Sequence, residues 1–126
     1  VEARMANYQG TTLPSTIHAQ LGIRPVLVHG DLWTANVLVD KVSGQLKMLI
    51  DWQFAHLGVG VEDLLRISLF AQSTNDRRSS ADELVNEMYR AFVDNLNDEL
   101  APFSLERLKE VYDILFPHCA LIFAAG

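Results

Sequence analysis

Cys119 is the sole cysteine among 126 residues, so no intrachain disulfide can form and a secreted, cross-linked scaffold is excluded. A reducing compartment, most simply the cytoplasm, is the expectation. Positive charge is scarce as well: 10 Lys and Arg stand against 16 Asp and Glu, for a formal net charge of −6. The only basic cluster, Arg77-Arg78, is short. Nucleic acid and anionic membrane surfaces select clustered Lys and Arg, so neither is expected as a partner. No apolar run approaches the ~20 residues that a membrane-crossing helix needs.

What is present fits a folded chain. Hydrophobic residues make up 49% and charged residues 21%, too apolar for a disordered segment. The length suits one domain, in which roughly two-thirds of the unfolded chain's surface can be buried. The sequence opens at Val1 without a methionine and closes in the apolar run before Gly126, which reads as a fragment of a larger protein.

The pattern along the chain is mixed. Gly10-Thr11-Thr12 and Pro14 break the first 24 residues into a helix end and a connecting loop. Val26-Leu27-Val28 reads as a short buried strand that stops at Gly30. Val37-Leu38-Val39 and Leu46 to Ile50, separated by a polar stretch with Ser43-Gly44, read as a hairpin whose strands are covered on two faces. Helical texture begins at Val61 and runs to about Ala71, followed by a polar loop from Gln72 to Ser79. Ser80 with Glu83 fits a capping box, placing a helix over Ala81 to about Asn97 with Leu84, Val85, Met88, Phe92 and Leu96 as its apolar stripe. Ser104 is the expected N-cap of a last helix that presents Leu105, Leu108, Val111, Tyr112 and Leu115 on one face and is kinked or broken at Pro117. The sum is an α+β chain, mainly α, with helices around a β-hairpin at about residues 36–51.

One constellation carries chemistry. His29-x-Asp31 is followed by Asn36 and, at the end of the second apolar run, by Asp51. Phosphoryl transfer uses such a set: one carboxylate orients the attacking hydroxyl and accepts its proton, while an amide oxygen and a second carboxylate hold magnesium. These hard oxygen donors suit magnesium, and no sulfur or imidazole cluster competes. A hairpin turning at Ser43-Gly44 would place Val37 opposite Ile50 and Asn36 opposite Asp51, close enough to share a metal site. A one-residue slip would separate that pair.

HGDLWTANVL resembles the HGDxxxxN signature of aminoglycoside phosphotransferase and choline kinase relatives, and IDWQ (Ile50 to Gln53) resembles their counterpart of the protein-kinase DFG segment. Together with EDLLR (Glu62 to Arg66), these motifs look most like the CHK kinase-like, ecdysteroid-kinase-like family. The resemblance implies the C-terminal lobe of a protein-kinase-like fold, so that residues 1–126 form a partial kinase-like domain. It further implies Asp31 as catalytic base, Asn36 and Asp51 as magnesium ligands, His29 as a structural residue of the loop, and Asp63 as a brace for the loop's backbone. ATP would be the co-substrate and a small-molecule hydroxyl the acceptor. No glycine-rich phosphate loop, strand lysine or helix glutamate precedes the motif, so this span alone is expected to be inactive. Two alternatives stand beside it: a pseudokinase-like binding or regulatory module, and a fructosamine-kinase-like enzyme, whose metal aspartate is usually followed by proline where Trp52 stands here. Metal-dependent hydrolysis by His29 and Asp31 would need further ligands at defined spacings, and none is found. His18, His56 and His118 are scattered singly and receive no role. Trp33 and Trp52 fit packing beside the loop better than a cationic-substrate cage. Asp94, Asp98 and Glu99 read as a solvated face, and Cys119 as buried and unreactive.

Overall fold

The computed structural model describes residues 13–96 and 100–124. It is α+β and mainly helical, with four α-helices, two single-turn 3-10 helices (Thr34–Asn36 and Trp52–Phe54) and two small antiparallel strand pairs among the described residues. Helix α1 (Leu13–Gln20) leads through a turn at Gly22 to strand β1 (Val26–Val28). Pro14 sits in the first turn of α1, where a missing backbone N–H costs nothing, and so it does not break the helix as its composition suggests. The expectation for residues 1–12 lies outside the described residues.

Strands β2 (Val37–Val39) and β3 (Leu46–Leu49) form the expected hairpin, while β1 pairs with an unexpected strand, β4 (His56–Gly58). The hairpin is therefore nested between the two strands of the outer pair. The connection 29–36 runs from the outer pair to the inner one and 50–55 runs back, and this places the HGD and IDWQ segments side by side.

Register differs from the sequence expectation. Val37 lies opposite Leu49 and Leu38 opposite Met48, but Val39 pairs with Leu46, so Lys47 is an extra, bulged residue. Asn36 aligns with Ile50, whose N–H donates to the Asn36 carbonyl at 3.1 Å, and not with Asp51. The cause is the turn. Asp40 Oδ1 accepts from the N–H groups of Val42 and Ser43, both at 2.9 Å, and Asp40 N–H donates to the Gln45 carbonyl at 2.8 Å. This closes the loop at Asp40 and Gln45, and the bulge then shifts the pairing by one. Lys47 reaches back to Asp40 at 2.8 Å, and this ion pair, with the backbone donors of the turn, holds the Asp40 carboxyl below the usual carboxylate range.

The strands are not covered on two faces. Leu38, Val39, Leu46 and Met48 are exposed, as are Leu27 and Leu57 on the outer pair, whereas Val28 is fully buried. Burial is concentrated among the helices: α2 (Val61–Ala71), α3 (Thr74–Asp94) and α4 (Leu105–Ala124). Their core gathers Leu65, Val85, Leu108, Val111 and Leu115 with Ile17 of α1 and Val59 and Val61 at the β4–α2 junction.

Helix α3 begins earlier than the Ser80 capping signal indicates. Ser73 is the N-cap, its Oγ accepting from Asp76 N–H at 3.2 Å and donating to the Asp76 carboxylate at 2.7 Å. Ser80 lies within the helix and donates to the Asp76 carbonyl at 2.8 Å. The expected loop to Ser79 thus shrinks to a short link. Helix α4 is capped by Ser104 as expected, with Arg107 N–H donating to its hydroxyl at 3.2 Å. Pro117 does not terminate it, and the helix continues to Ala124. The lost donor is offset by the apolar face that Val111, Leu115 and Cys119 bring to the core.

Candidate functional site

The loop after β1 is held from below by the first turn of α2. Asp63 Oδ2 accepts from His29 N–H at 2.7 Å and Oδ1 from Gly30 N–H at 3.0 Å, so one carboxylate fixes two successive backbone donors. This is the bracing expected of Asp63. Gly30 has a positive φ of 79°, and a Cβ there would collide with the Phe54 carbonyl. Only glycine lets the two connections approach this closely.

His29 ties them together. Its buried ring interacts with the Ile50 carbonyl through Nε2 at 2.9 Å, and Trp52 packs on it with ring centroids 4.5 Å apart. Trp52 also donates from Nε1 to the Leu49 carbonyl at 2.9 Å, which is the packing use expected of this side chain. The residues on either side of Asp51 are thus anchored to the HGD loop. Asp51 itself adopts a left-handed conformation at φ 65°, the only described non-glycine residue with positive φ. Such backbone costs about 1–3 kcal/mol and is kept where surrounding structure imposes it, often at functional sites.

Asp31 and Asn36 are in direct contact. Asn36 Nδ2 donates to the Asp31 carbonyl at 2.9 Å and to Asp31 Oδ2 at 3.3 Å. With its nitrogen committed to Asp31, the planar amide turns its oxygen the other way. The second Asp31 oxygen, Oδ1, accepts from Arg66 Nη1 of α2 at 2.8 Å. Asp51 joins this pair through Ile50, which bonds the Asn36 carbonyl, and its own carboxylate accepts from Gln53 Nε2 at 3.5 Å.

No cluster of three or more His, Cys, Asp or Glu side chains that could hold a metal ion is found among the described residues. Magnesium does not require one. It is usually bound by one or two carboxylates with water and substrate phosphates, and Asn36 with Asp51 would supply hard oxygens of that kind.

Residues 2–125 match the DUF1679 family, described as Uncharacterized oxidoreductase dhs-27. The chain belongs to this family. It is 31% identical over 93 residues to the Caenorhabditis elegans protein named Uncharacterized kinase-like protein D1044.1, covering 74% of this chain and 24% of that relative. It is 33% identical over 79 residues to the Caenorhabditis elegans protein named Uncharacterized oxidoreductase dhs-27, covering 57% of this chain and 10% of that relative. The chain therefore spans about a quarter and a tenth of the lengths of these curated relatives. No solved structure matches. Among the described residues, no helix is long and apolar enough to cross a membrane.

Some polar contacts of this family member escape sequence reasoning. Arg66 is one, although it follows Asp63 by three on a helix, and that spacing puts both side chains on one face. His56 is another. Its Nδ1 lies 2.9 Å from the Phe54 carbonyl and its Nε2 3.2 Å from Glu62 Oε2, while Glu62 Oε1 accepts from Val59 N–H at 2.9 Å. Burial is the main cause that pushes the Glu62 carboxyl up. Trp33 packs on Phe70 of α2 with centroids 5.9 Å apart. Cys119 is partly buried against the core and not fully buried as expected, and its thiol is pushed up to about 11 chiefly by burial.

Proposed function

We propose that this chain carries the acceptor-activating and metal-holding part of an ATP-dependent small-molecule kinase, of CHK kinase-like type and with the fold of a kinase C-terminal lobe. The observation that carries this is the double engagement of Asn36, through its side chain with Asp31 and through its carbonyl with Ile50, the residue before Asp51. One residue thereby joins the loop that would activate the hydroxyl to the segment that would hold magnesium.

In this assignment Asp31 orients the acceptor hydroxyl and takes its proton as the γ-phosphoryl group is transferred. Asn36 and Asp51 would hold magnesium, which when bound neutralises phosphate charge. His29 and Asp63 keep the loop in shape without touching substrate. The similarity to a kinase-like protein supports the proposal. The oxidoreductase name of the family favours a different chemistry, yet the site has little in common with a dinucleotide-binding turn. Gly58-Val59-Gly60 does lie between a strand and a helix, but Asp63 stands where the third glycine of that fingerprint belongs, and the strands pair antiparallel.

The test is magnesium-dependent phosphotransfer by the full-length protein against a panel of small alcohols. Asp31→Asn is expected to lower kcat by about 10²-fold or more with folding intact, and Asp51→Asn to raise the magnesium requirement. Wild-type turnover in both variants would refute the assignment.

A further inference from the structure

Arg66 closes the EDLLR segment and was given no role by the sequence, yet its guanidinium meets the Asp31 carboxylate at 2.8 Å. We infer that Arg66 is a positioning residue for Asp31, fixing one carboxylate oxygen so that the other faces the acceptor hydroxyl. The inference rests on the phosphotransferase assignment above and goes beyond it in naming what sets the aim of the base.

The geometry follows from one helical turn. Asp63 and Arg66 project from the same face of α2 toward the loop. The first holds the backbone of His29 and Gly30, and the second holds the side chain of the next residue, Asp31. The helix is therefore registered to the loop at three consecutive residues. An aspartate on a loop can rotate about its side-chain bonds, and a hydroxyl must lie within hydrogen-bond reach of the correct oxygen for proton transfer. Asn36 contacts Oδ2 only at 3.3 Å and donates more closely to the Asp31 carbonyl, so it restrains the carboxylate weakly. Arg66 supplies the stronger restraint, because a planar charged donor fixes direction as well as distance.

A purely structural role is the competing explanation. Both side chains retain partial solvent exposure, 31% for Arg66 and 21% for Asp31, so solvent screens part of the ion pair's contribution to stability. Loss of Arg66 should therefore be felt in turnover more than in folding.

The experiment compares Arg66→Met, Arg66→Ala and Arg66→Lys with Asp31→Asn in the full-length protein, using ATP, magnesium and an acceptor found by the panel above. Arg66→Met is expected to lower kcat about 10- to 100-fold, the scale of a misplaced catalytic group, with the KM for ATP changed less than about twofold and the thermal unfolding midpoint nearly unchanged. Arg66→Lys, which keeps the charge without the fork, should fall between. Added guanidinium ion should partly restore Arg66→Ala and leave Asp31→Asn unaffected, a response that a structural role would not produce. In an Asp31→Asn background, Arg66→Met should have little further effect.

A folded Arg66→Met protein with wild-type turnover, beside an inactive Asp31→Asn, would overturn the inference and leave the kinase assignment standing. Wild-type turnover in Asp31→Asn would overturn both. Should Arg66→Met fail to fold, Arg66→Lys with wild-type kcat would count against the inference, and reduced kcat with unchanged ATP KM would support it.

Discussion

Both ring nitrogens of His56 face acceptors, the Phe54 carbonyl and Glu62 Oε2, so the doubly protonated imidazolium satisfies the site best. The Phe54 carbonyl, and beyond it the Glu62 carboxylate, accordingly raise His56 above its ordinary value of 6.5 against the opposing effect of burial. A raised folded-state value means that the stability is fully present below about 6.5 and is lost as pH climbs through the folded value. Glu62 has the same sign over a lower window, since burial lifts it from 4.5. The thermal midpoint should fall as pH rises above about 6.5, and His56→Gln should flatten that slope; equal slopes in the two proteins would dismiss the role of His56. Residues at this scale were legible in sequence where chemistry dictates spacing. Asp31 and Asn36 were expected to serve one site and are in contact, whereas the pairing expected of Asn36 with Asp51 falls one residue short at Ile50; Asp63 braces the loop as the family resemblance implied. The His56–Glu62 and Asp31–Arg66 contacts were not legible, because the first depends on the β4–α2 turn and the second on the pairing of β1 with β4.

At the scale of elements, local patterns succeeded where a single signal stood alone. Helix α2 has an uncontested apolar pattern and matches its expected span of Val61 to Ala71. Helix α3 has three Ser-x-x-acid signatures, at Ser73, Ser79 and Ser80, and the earliest caps it. Of the residues that follow Ser73, Arg77 and Arg78 are good helix formers, and Arg77 also donates to the Gln72 carbonyl at 3.0 Å. Ser73→Ala should therefore cost about 1 kcal/mol in chemical denaturation, whereas Ser80→Ala should cost much less; the reverse order would restore the later start. Hairpin register was legible only to within one residue, because the Asp40 turn and the Lys47 bulge arise from side-chain bonds that hydropathy does not encode.

Across the whole molecule, the nested order β1-β2-β3-β4 brings two distant motifs together, and the helices beneath hold them. The α+β class and helical excess followed from composition and periodicity. The helical part of the core was legible too, in the stripes that carry Val85, Leu108, Val111 and Leu115, but the strands misled, since their apolar residues resemble core residues in sequence yet lie at the surface. Leu27 and Leu57 are each more than 60% exposed, on a pair in which both strands are edges, and the hairpin shows the same exposure at Leu46 and Met48. That distribution has a colloidal consequence. Purified by itself, the 126-residue span should form reversible clusters through sticky, unpaired strand borders. Its sedimentation coefficient should rise with concentration, and charged replacements at Leu27 and Leu57 should suppress the rise while leaving helical circular dichroism intact.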